Sequence, residues 1–351
     1  MSKTDIKSMT IDELCQYIQS LGEAKFRAKQ IYEWMHVKLA ANYDEMSNIP
    51  RKLKDVLKEQ TEYTSLNIAR VQVSNEDKTA KYLFELADGN LIESVLMHYH
   101  HGNSVCISSQ AGCRMGCRFC ASTIDGLERN LTPAEMLDQI YSIQRATGER
   151  VSNVVVMGSG EPFDNFDNFI RFQKLLSDEN GLNISARNLT VSTCGIVPRI
   201  YEFADLKLPT TLAISLHAPN DEMRRELMPI ANKYSISQIM DACRYYFEKT
   251  GRRISFEYSL VKGKNDTMEC AEQLITLLSG LNCHVNLIPV NPVKERSFRR
   301  SAISDINMFK NKLEKNKINV TIRREMGRDI DGACGQLRKH YKDEHQRSNN
   351  D

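Results

Sequence analysis

Between residues 104 and 323 the chain alternates short apolar, β-branched runs with longer stretches of helical period, and this alternation constrains the fold more than any other feature. The runs fall at 104–108, 153–157, 189–193, 211–216, 253–259 and 284–290, with a shorter one at 319–323. Two intervening stretches open on well-formed helix starts, Thr132-Pro133-Ala134-Glu135 and Ser235-Ile236-Ser237-Gln238. In each, a hydroxyl caps the helix and an acid or amide three residues later caps back. Strands joined through helices imply parallel pairing with crossovers, so six such units predict an α/β protein. An incomplete (βα)6 TIM-type barrel fits better than a doubly wound sheet, because polar residues recur after several consecutive strands, as on a barrel's C-terminal rim.

The remaining length forms appendages. With 351 residues, 41% hydrophobic and 26% charged, the chain supports a sizeable core and global disorder is excluded. Residues 1–60 read as a helical accessory domain. Thr10 and Glu13 form a capping box, Ile11, Leu14, Ile18 and Leu21 share a face, and Gly22 stops the helix. Phe26, Ile31, Tyr32 and Met35 suggest a second helix, and Pro50 opens a third that carries Leu53, Val56 and Leu57. Residues 61–100 alternate in period two around Asp88-Gly89, a β-hairpin extension. Residues 101–300 make the barrel core. Residues 301–351 supply a helix, a strand, a cysteine-bearing loop and a polar tail expected to fray.

The formal net charge is only +2, so nucleic-acid contacts must come from local patches. Lys25, Arg27, Lys29, Arg51, Lys52 and Lys54 form one, readable equally as the solvated face of a small bundle. A second runs Lys294-Glu295-Arg296-Ser297-Phe298-Arg299-Arg300, and Arg323, Arg324 and Arg328 form a third. The N-terminus lacks an apolar signal region and no run of 18 apolar residues occurs, so a soluble, cytoplasmic protein with no membrane contact is expected. Nothing demands more than a monomer.

Ten cysteines in a reducing compartment point to metal binding sooner than to staples. Cys113, Cys117 and Cys120 stand at spacing C-x3-C-x2-C after the first barrel strand. Closed zinc sites and closed iron–sulfur clusters take four protein ligands, so three suggest a cubane with one iron open to substrate. The alternative is a zinc site completed by a distant residue such as His217. After the second strand, Gly158-Ser159-Gly160-Glu161-Pro162 offers close backbone approach and a carboxylate acceptor. Ser192 ends the third strand, Ser215-Leu216-His217 the fourth, and Asn291 follows the sixth. Any one of these is ordinary turn chemistry, but together they outline a ligand site. Read alone, Cys106 in Val105-Cys106-Ile107 is a buried strand cysteine, and Glu93 between Ile92 and Ser94 is a solvent-facing strand position. Cys334, in a Gly-Ala-Cys-Gly turn, is poorly placed for core filling. Cys15, Cys194, Cys243, Cys270 and Cys283 are assigned to packing.

The triplet, with Phe119 before its last cysteine, matches the signature of radical S-adenosylmethionine (SAM) enzymes. Ser108-Ser109-Gln110-Ala111-Gly112-Cys113, Ser215-Leu216-His217-Ala218-Pro219-Asn220-Asp221 and Asp329-Ile330-Asp331-Gly332-Ala333-Cys334-Gly335-Gln336-Leu337 narrow this further. From about residue 10 to 338 the chain resembles the RlmN/Cfr family of RNA methyltransferases. One departure is Ser159, where the family usually shows methionine.

The resemblance implies a radical SAM barrel in which Cys113, Cys117 and Cys120 hold a [4Fe-4S] cluster. It implies SAM contacts from Gly160, Glu161, Ser192, Ser215, Leu216, His217 and Asn291, and consumption of two SAM per turnover. It makes Cys334 the cysteine that is methylated, Cys106 its disulfide-forming partner, and Glu93 the acid/base. The implied substrates are 23S rRNA at carbon 2 of adenine 2503 and certain tRNAs at adenine 37. A flavodoxin- or ferredoxin-type reductant is also implied. Methylation at carbon 8, as in the Cfr branch, is the nearest alternative; Ala111 and Pro162 lean away from it. A non-catalytic RNA-binding metal protein is the alternative from another class.

Overall fold

The computed structural model describes residues 3–290, 298–330 and 335–348. Its main sheet has ten strands, which lie side by side in chain order. They are β1 (Asn67–Val73), β2 (Ala80–Glu85), β3 (Leu91–Tyr99), β4 (Gly102–Ile107), β5 (Val151–Val156), β6 (Leu189–Thr193), β7 (Thr211–Ser215), β8 (Ile254–Leu260), β9 (Cys283–Pro289) and β10 (Asn319–Ile322). Pairing is antiparallel from β1 to β4 and parallel from β4 to β10.

A doubly wound sheet reverses its strand order at a switch point, whereas a barrel adds each strand beside the last. The sequential order here is the barrel's. Residues at the ends of β5 through β10 all border one cavity, so the sheet curls around it. Among the described residues no ladder joins β10 to β1, so the barrel is partial. The antiparallel hairpin strands extend this same sheet, with Val95 of β3 opposite Cys106 of β4.

The helices are α1 (Ile11–Ser20), α2 (Lys25–His36), α3 (Arg51–Gln60), α4 (Pro133–Thr147), α5 (Phe166–Leu176), α6 (Val197–Asp205), α7 (Asp221–Leu227), α8 (Ile236–Thr250), α9 (Met268–Leu278), α10 (Ile303–Lys315) and α11 (Gln336–Ser348). Reciprocal capping boxes open α1, α4 and α8 at Thr10/Glu13, Thr132/Glu135 and Ser235/Gln238, the signals legible in the sequence. Pro50 precedes the first residue of α3 instead of occupying it. Phe26, expected on the apolar face of α2, is 53% exposed, while Ile31, Tyr32 and Met35 are buried. A single aromatic at the first turn is easily rotated outwards, and Phe26 lies under the Arg27 guanidinium, 4.7 Å from its ring centroid.

The helical domain docks on α4 through polar groups sealed from water. Lys7 and Asp138 are both fully buried and pair at 2.8 Å, with Arg145 a second cation on the same carboxylate at 3.2 Å. Nδ1 of His36 lies 2.7 Å from the buried Tyr141 hydroxyl; outside this sealed region, a solvent-exposed pair joins Glu13 to Arg171 of α5. Buried charges persist only when paired, so these contacts fix where the accessory domain sits. The polar stretch after Arg338, expected to fray, is helical to Ser348. Leu337 is buried against Leu83 and Leu91, and Arg338 pairs with Glu128 at 2.5 Å. Among the described residues no helix is long and apolar enough to cross a membrane.

Candidate active site

The cysteine triplet occupies a loop whose base is closed by a short antiparallel ladder, Gln110–Gly112 against Leu127–Asn130. Local bonds shape the loop. Cys120 N–H donates to the Cys117 carbonyl at 3.1 Å, and the Thr123 hydroxyl donates to both the Cys117 and Cys120 carbonyls. Arg118 N–H donates to the Leu227 carbonyl at 2.9 Å, tying the loop to α7, and Arg114 pairs with Asp164.

All three thiols line a cavity of about 250 Å³ at the C-terminal ends of the parallel strands. Burial pushes Cys113 up to about 12, with Cys120 and Glu161 adding to it. Burial also holds Cys117 well above the usual thiol range; Cys120, Cys113 and Glu161 reinforce this, and Arg224 opposes it. Buried thiols that resist ionisation, as those of Cys113 and Cys117 do, need a cationic centre beside them to become thiolates. Among the described residues no three His, Cys, Asp or Glu side chains converge as a single metal ion would require. The three cysteines line one cavity wall and leave room beside them for a ligand.

Glycine is required at position 160. Its φ is +108°, and an added Cβ would lie 2.6 Å from Gln110 Cβ and 2.7 Å from its backbone nitrogen. The next residue, Glu161, is buried. Its carboxylate accepts the Cys194 N–H at 2.7 Å and the Phe163 N–H at 3.0 Å, with no cation in ion-pair contact among the described residues. Burial raises its pKa despite those bonds, so an ammonium-bearing ligand would relieve it. Across the cavity the hydroxyls of Ser192 and Ser215 lie 3.2 Å apart. Thiols, a desolvated carboxylate, paired hydroxyls and a bare glycine fit a cluster together with an adenosylated amino acid. The Ser159 side chain is buried, 3.0 Å from the Ser122 hydroxyl, so the smaller residue still packs.

Burial, with Arg224 adding to it, lowers the pKa of His217 to about 3, so the ring is neutral. Its Nδ1 accepts the Ser259 N–H at 2.9 Å and its ring packs on Phe119 at 4.7 Å, which commits one nitrogen to the scaffold. Leu216 is buried outside the cavity lining, whereas Ser215 and His217 line it. Glu257 and Arg323 also line it and were not anticipated there. Glu257 had a signal: it is an acid at the inward period of an otherwise apolar strand, alongside Ser255 and Ser259. Cys194, read as packing, does pack on Cys117 and Met228, and it borders the cavity as well.

A second cavity, of about 650 Å³, adjoins the first; Ile288 and Arg323 line both. Cys106 lines this second space with Tyr99, Arg300, Arg324 and Arg328. Glu325 pairs with Arg300 and Arg328, Arg323 acts through space on the buried Glu257, and Arg324 makes no ion pair among the described residues. Cys106 is buried, as its context suggested.

Glu93 is buried instead of solvent-facing, and lines neither cavity. Its carboxylate accepts the N–H of Gly335 and of Arg338, each at 2.6 Å, at the start of α11, and pairs with Lys81 at 3.1 Å. Glu93, Val95 and Cys106 share one sheet face. Asn291, the Lys294-Glu295-Arg296 patch and Cys334 lie outside the described residues. Of Cys334's neighbours, Ile330 and Gln336 line the larger cavity.

Comparison with known proteins agrees with this geometry. Residues 107–278 match the radical SAM superfamily, and residues 4–62 match the N-terminal domain of ribosomal RNA large subunit methyltransferases. A protein of Lachnospira eligens described as "Probable dual-specificity RNA methyltransferase RlmN" is 70% identical, over 96% of this chain and 97% of its own length. One of the same description from Lachnoclostridium phytofermentans is 60% identical over 97% and 96%. The crystal structure of a radical SAM methyltransferase from Sphaerobacter thermophilus superposes with a TM-score of 0.91 at 42% identity, covering 95% of this chain and 98% of that one. The chain is a member of the RlmN family of radical SAM RNA methyltransferases.

Proposed function

We propose that the chain methylates carbon 2 of an adenine, at position 2503 of 23S rRNA and position 37 of certain tRNAs, with Cys334 as the methyl carrier and two SAM consumed per turnover. The observation that best supports this is the common wall between the two cavities. Ile288 and Arg323 face both; the cysteine triplet lies on one side and Cys106 on the other.

Carbon 2 of adenine is flanked by two ring nitrogens and is electron-poor, so it offers no nucleophile to an electrophilic methyl group. A radical route is required, and the cluster and SAM, once bound between Cys113, Cys117, Cys120 and Glu161, supply the one-electron chemistry that opens it. The chain's own residues do the rest. The Cys334 thiolate accepts and carries a methyl group as a sulfur nucleophile. Glu93 is the acid/base that takes the carbon-2 proton once its hold on α11 is loosened. The Cys106 thiolate then attacks the Cys334 sulfur. The carbon–sulfur bond breaks as the sulfur–sulfur bond forms, its electron pair taking a proton to complete the methyl group; a thiol reductant supplying two electrons and two protons returns both thiols, while a one-electron flavodoxin- or ferredoxin-type donor serves the cluster.

Arg323 and Arg324 hold backbone phosphate at the mouth of the larger cavity, whose volume accommodates a nucleobase drawn out of its stack. Anaerobic reaction of the reconstituted enzyme with a 23S rRNA fragment and with tRNA, followed by nucleoside mass spectrometry, tests the assignment. The expected product is 2-methyladenosine. Finding 8-methyladenosine in its place would overturn the assigned position.

A further inference from the structure

Arg224, in α7, is fully buried and has no acidic side chain in ion-pair contact among the described residues. Its Nη2 donates to the carbonyls of Cys194 at 2.6 Å and Ser215 at 3.3 Å, and its Nε donates to the Leu216 carbonyl at 3.2 Å. Those carbonyls sit at the ends of β6 and β7, behind the cofactor cavity, and Arg224 itself does not line that cavity. Its Nη1 is buried with no hydrogen-bond partner among the described residues. The neighbouring α7 residue Leu227 packs on Cys117 and Cys194.

A buried guanidinium that bonds only to neutral carbonyls, with one donor unmet, is an incompletely compensated cation. Asp221, on the same helix, offsets it only through space and makes no ion pair with it among the described residues; its carboxylate accepts the Ile236 N–H. Folding tolerates such a charge where an anion absent from the polypeptide completes it. Three thiolates around a [4Fe-4S] core give that centre net negative charge, and one-electron reduction adds another.

We propose that Arg224 is the buried counter-charge of the cluster carried by Cys113, Cys117 and Cys120, acting through the Cys117–Cys194 wall to make the centre easier to reduce. It is a positioning residue that touches neither cofactor nor RNA. The proposal rests on the triplet holding the cluster.

Arg224→Lys keeps the charge and Arg224→Gln removes it, and both lose part of the carbonyl clamp. Each variant and the wild type are reconstituted anaerobically, iron is counted, and the midpoint potential is measured by EPR-monitored titration with dithionite. Arg224→Gln is expected to load iron and to shift the midpoint to more negative values, with Arg224→Lys staying near wild type. Equal midpoints in Lys and Gln variants that both load iron would overturn the counter-charge role alone. Absence of iron in the wild type would overturn the cluster assignment and this proposal with it. A second measurement reads distance directly. Pulsed EPR of the reduced enzyme labelled with 15N in the arginine guanidinium only should show a 15N coupling in the wild type that Arg224→Lys lacks, and identical spectra would place the Arg224 guanidinium too far away to act.

Discussion

Glu93 and Lys81 meet at 3.1 Å on adjacent strands, both shut off from water, and the same carboxylate holds two backbone N–H groups at the start of α11. The acid assigned to catalysis is therefore also the anchor of the helix that follows the Cys334 loop. Breaking a buried pair strands the remaining charge, so Lys81→Met should destabilise the protein by about 3–5 kcal/mol in urea titrations. Glu93→Ala should accelerate hydrogen exchange at Gly335 and Arg338 before it affects the rest of α11. Unchanged exchange at those two amides would contradict the anchoring role.

Gly160→Ala forces a side chain into Gln110 at a φ that L residues avoid. The expected cost is roughly 1–3 kcal/mol of local strain, paired with loss of SAM binding by equilibrium dialysis while the cysteines still load iron. Retained SAM affinity would mean the loop has room that this geometry denies it.

His36 supplies a pH signature away from the active site. Burial, with Lys7 adding to it, lowers its pKa from 6.5 to about 3. Between those values the unfolded chain binds a proton that the folded chain refuses, so stability falls as pH drops through that window. The slope per histidine is about 1.4 kcal/mol per pH unit. A further loss should begin below about pH 4.5, as Glu13, held at about 2 by its bond to Arg171, approaches protonation. His36→Phe should make the first limb shallower without abolishing it, because His217 is depressed to about 3 as well, and should leave the second. Thermal unfolding across pH 3 to 7 separates the two.

How far these features were legible in the sequence depends on whether their cause is local. Capping boxes at Thr10, Thr132 and Ser235, the parallel strands, the triplet and Gly160 are written in neighbouring residues, and each was readable. Lys7 was not, because its partner Asp138 is 131 residues away and only tertiary packing turns a polar N-terminal lysine into a core group. Glu93 read as solvent-facing for the same reason: its partners are a lysine on the adjacent strand and amides more than 240 residues downstream. Arg224 carried no local signal, since its three carbonyl acceptors come together only when β6 and β7 lie side by side. Phe26 was misread because helical period says which residues align, not which side chain at a helix start turns outwards.

Arg324 borders the larger cavity with no ion pair among the described residues, whereas Glu325 holds Arg300 and Arg328. Arg324→Ala should weaken RNA binding and reduce the slope of log affinity against log salt by about 1. Filter binding at several salt concentrations reads both. An unchanged slope would remove Arg324 from the phosphate contacts.

The central claim is that Cys334 carries the methyl group to RNA, and Cys334→Ala tests it most directly. The variant is reconstituted anaerobically, checked for wild-type iron content and SAM binding, and given a 23S rRNA fragment with SAM and reductant. The account predicts no methylated adenosine by nucleoside mass spectrometry, although the cluster is intact. Methylation surviving in that variant would contradict it.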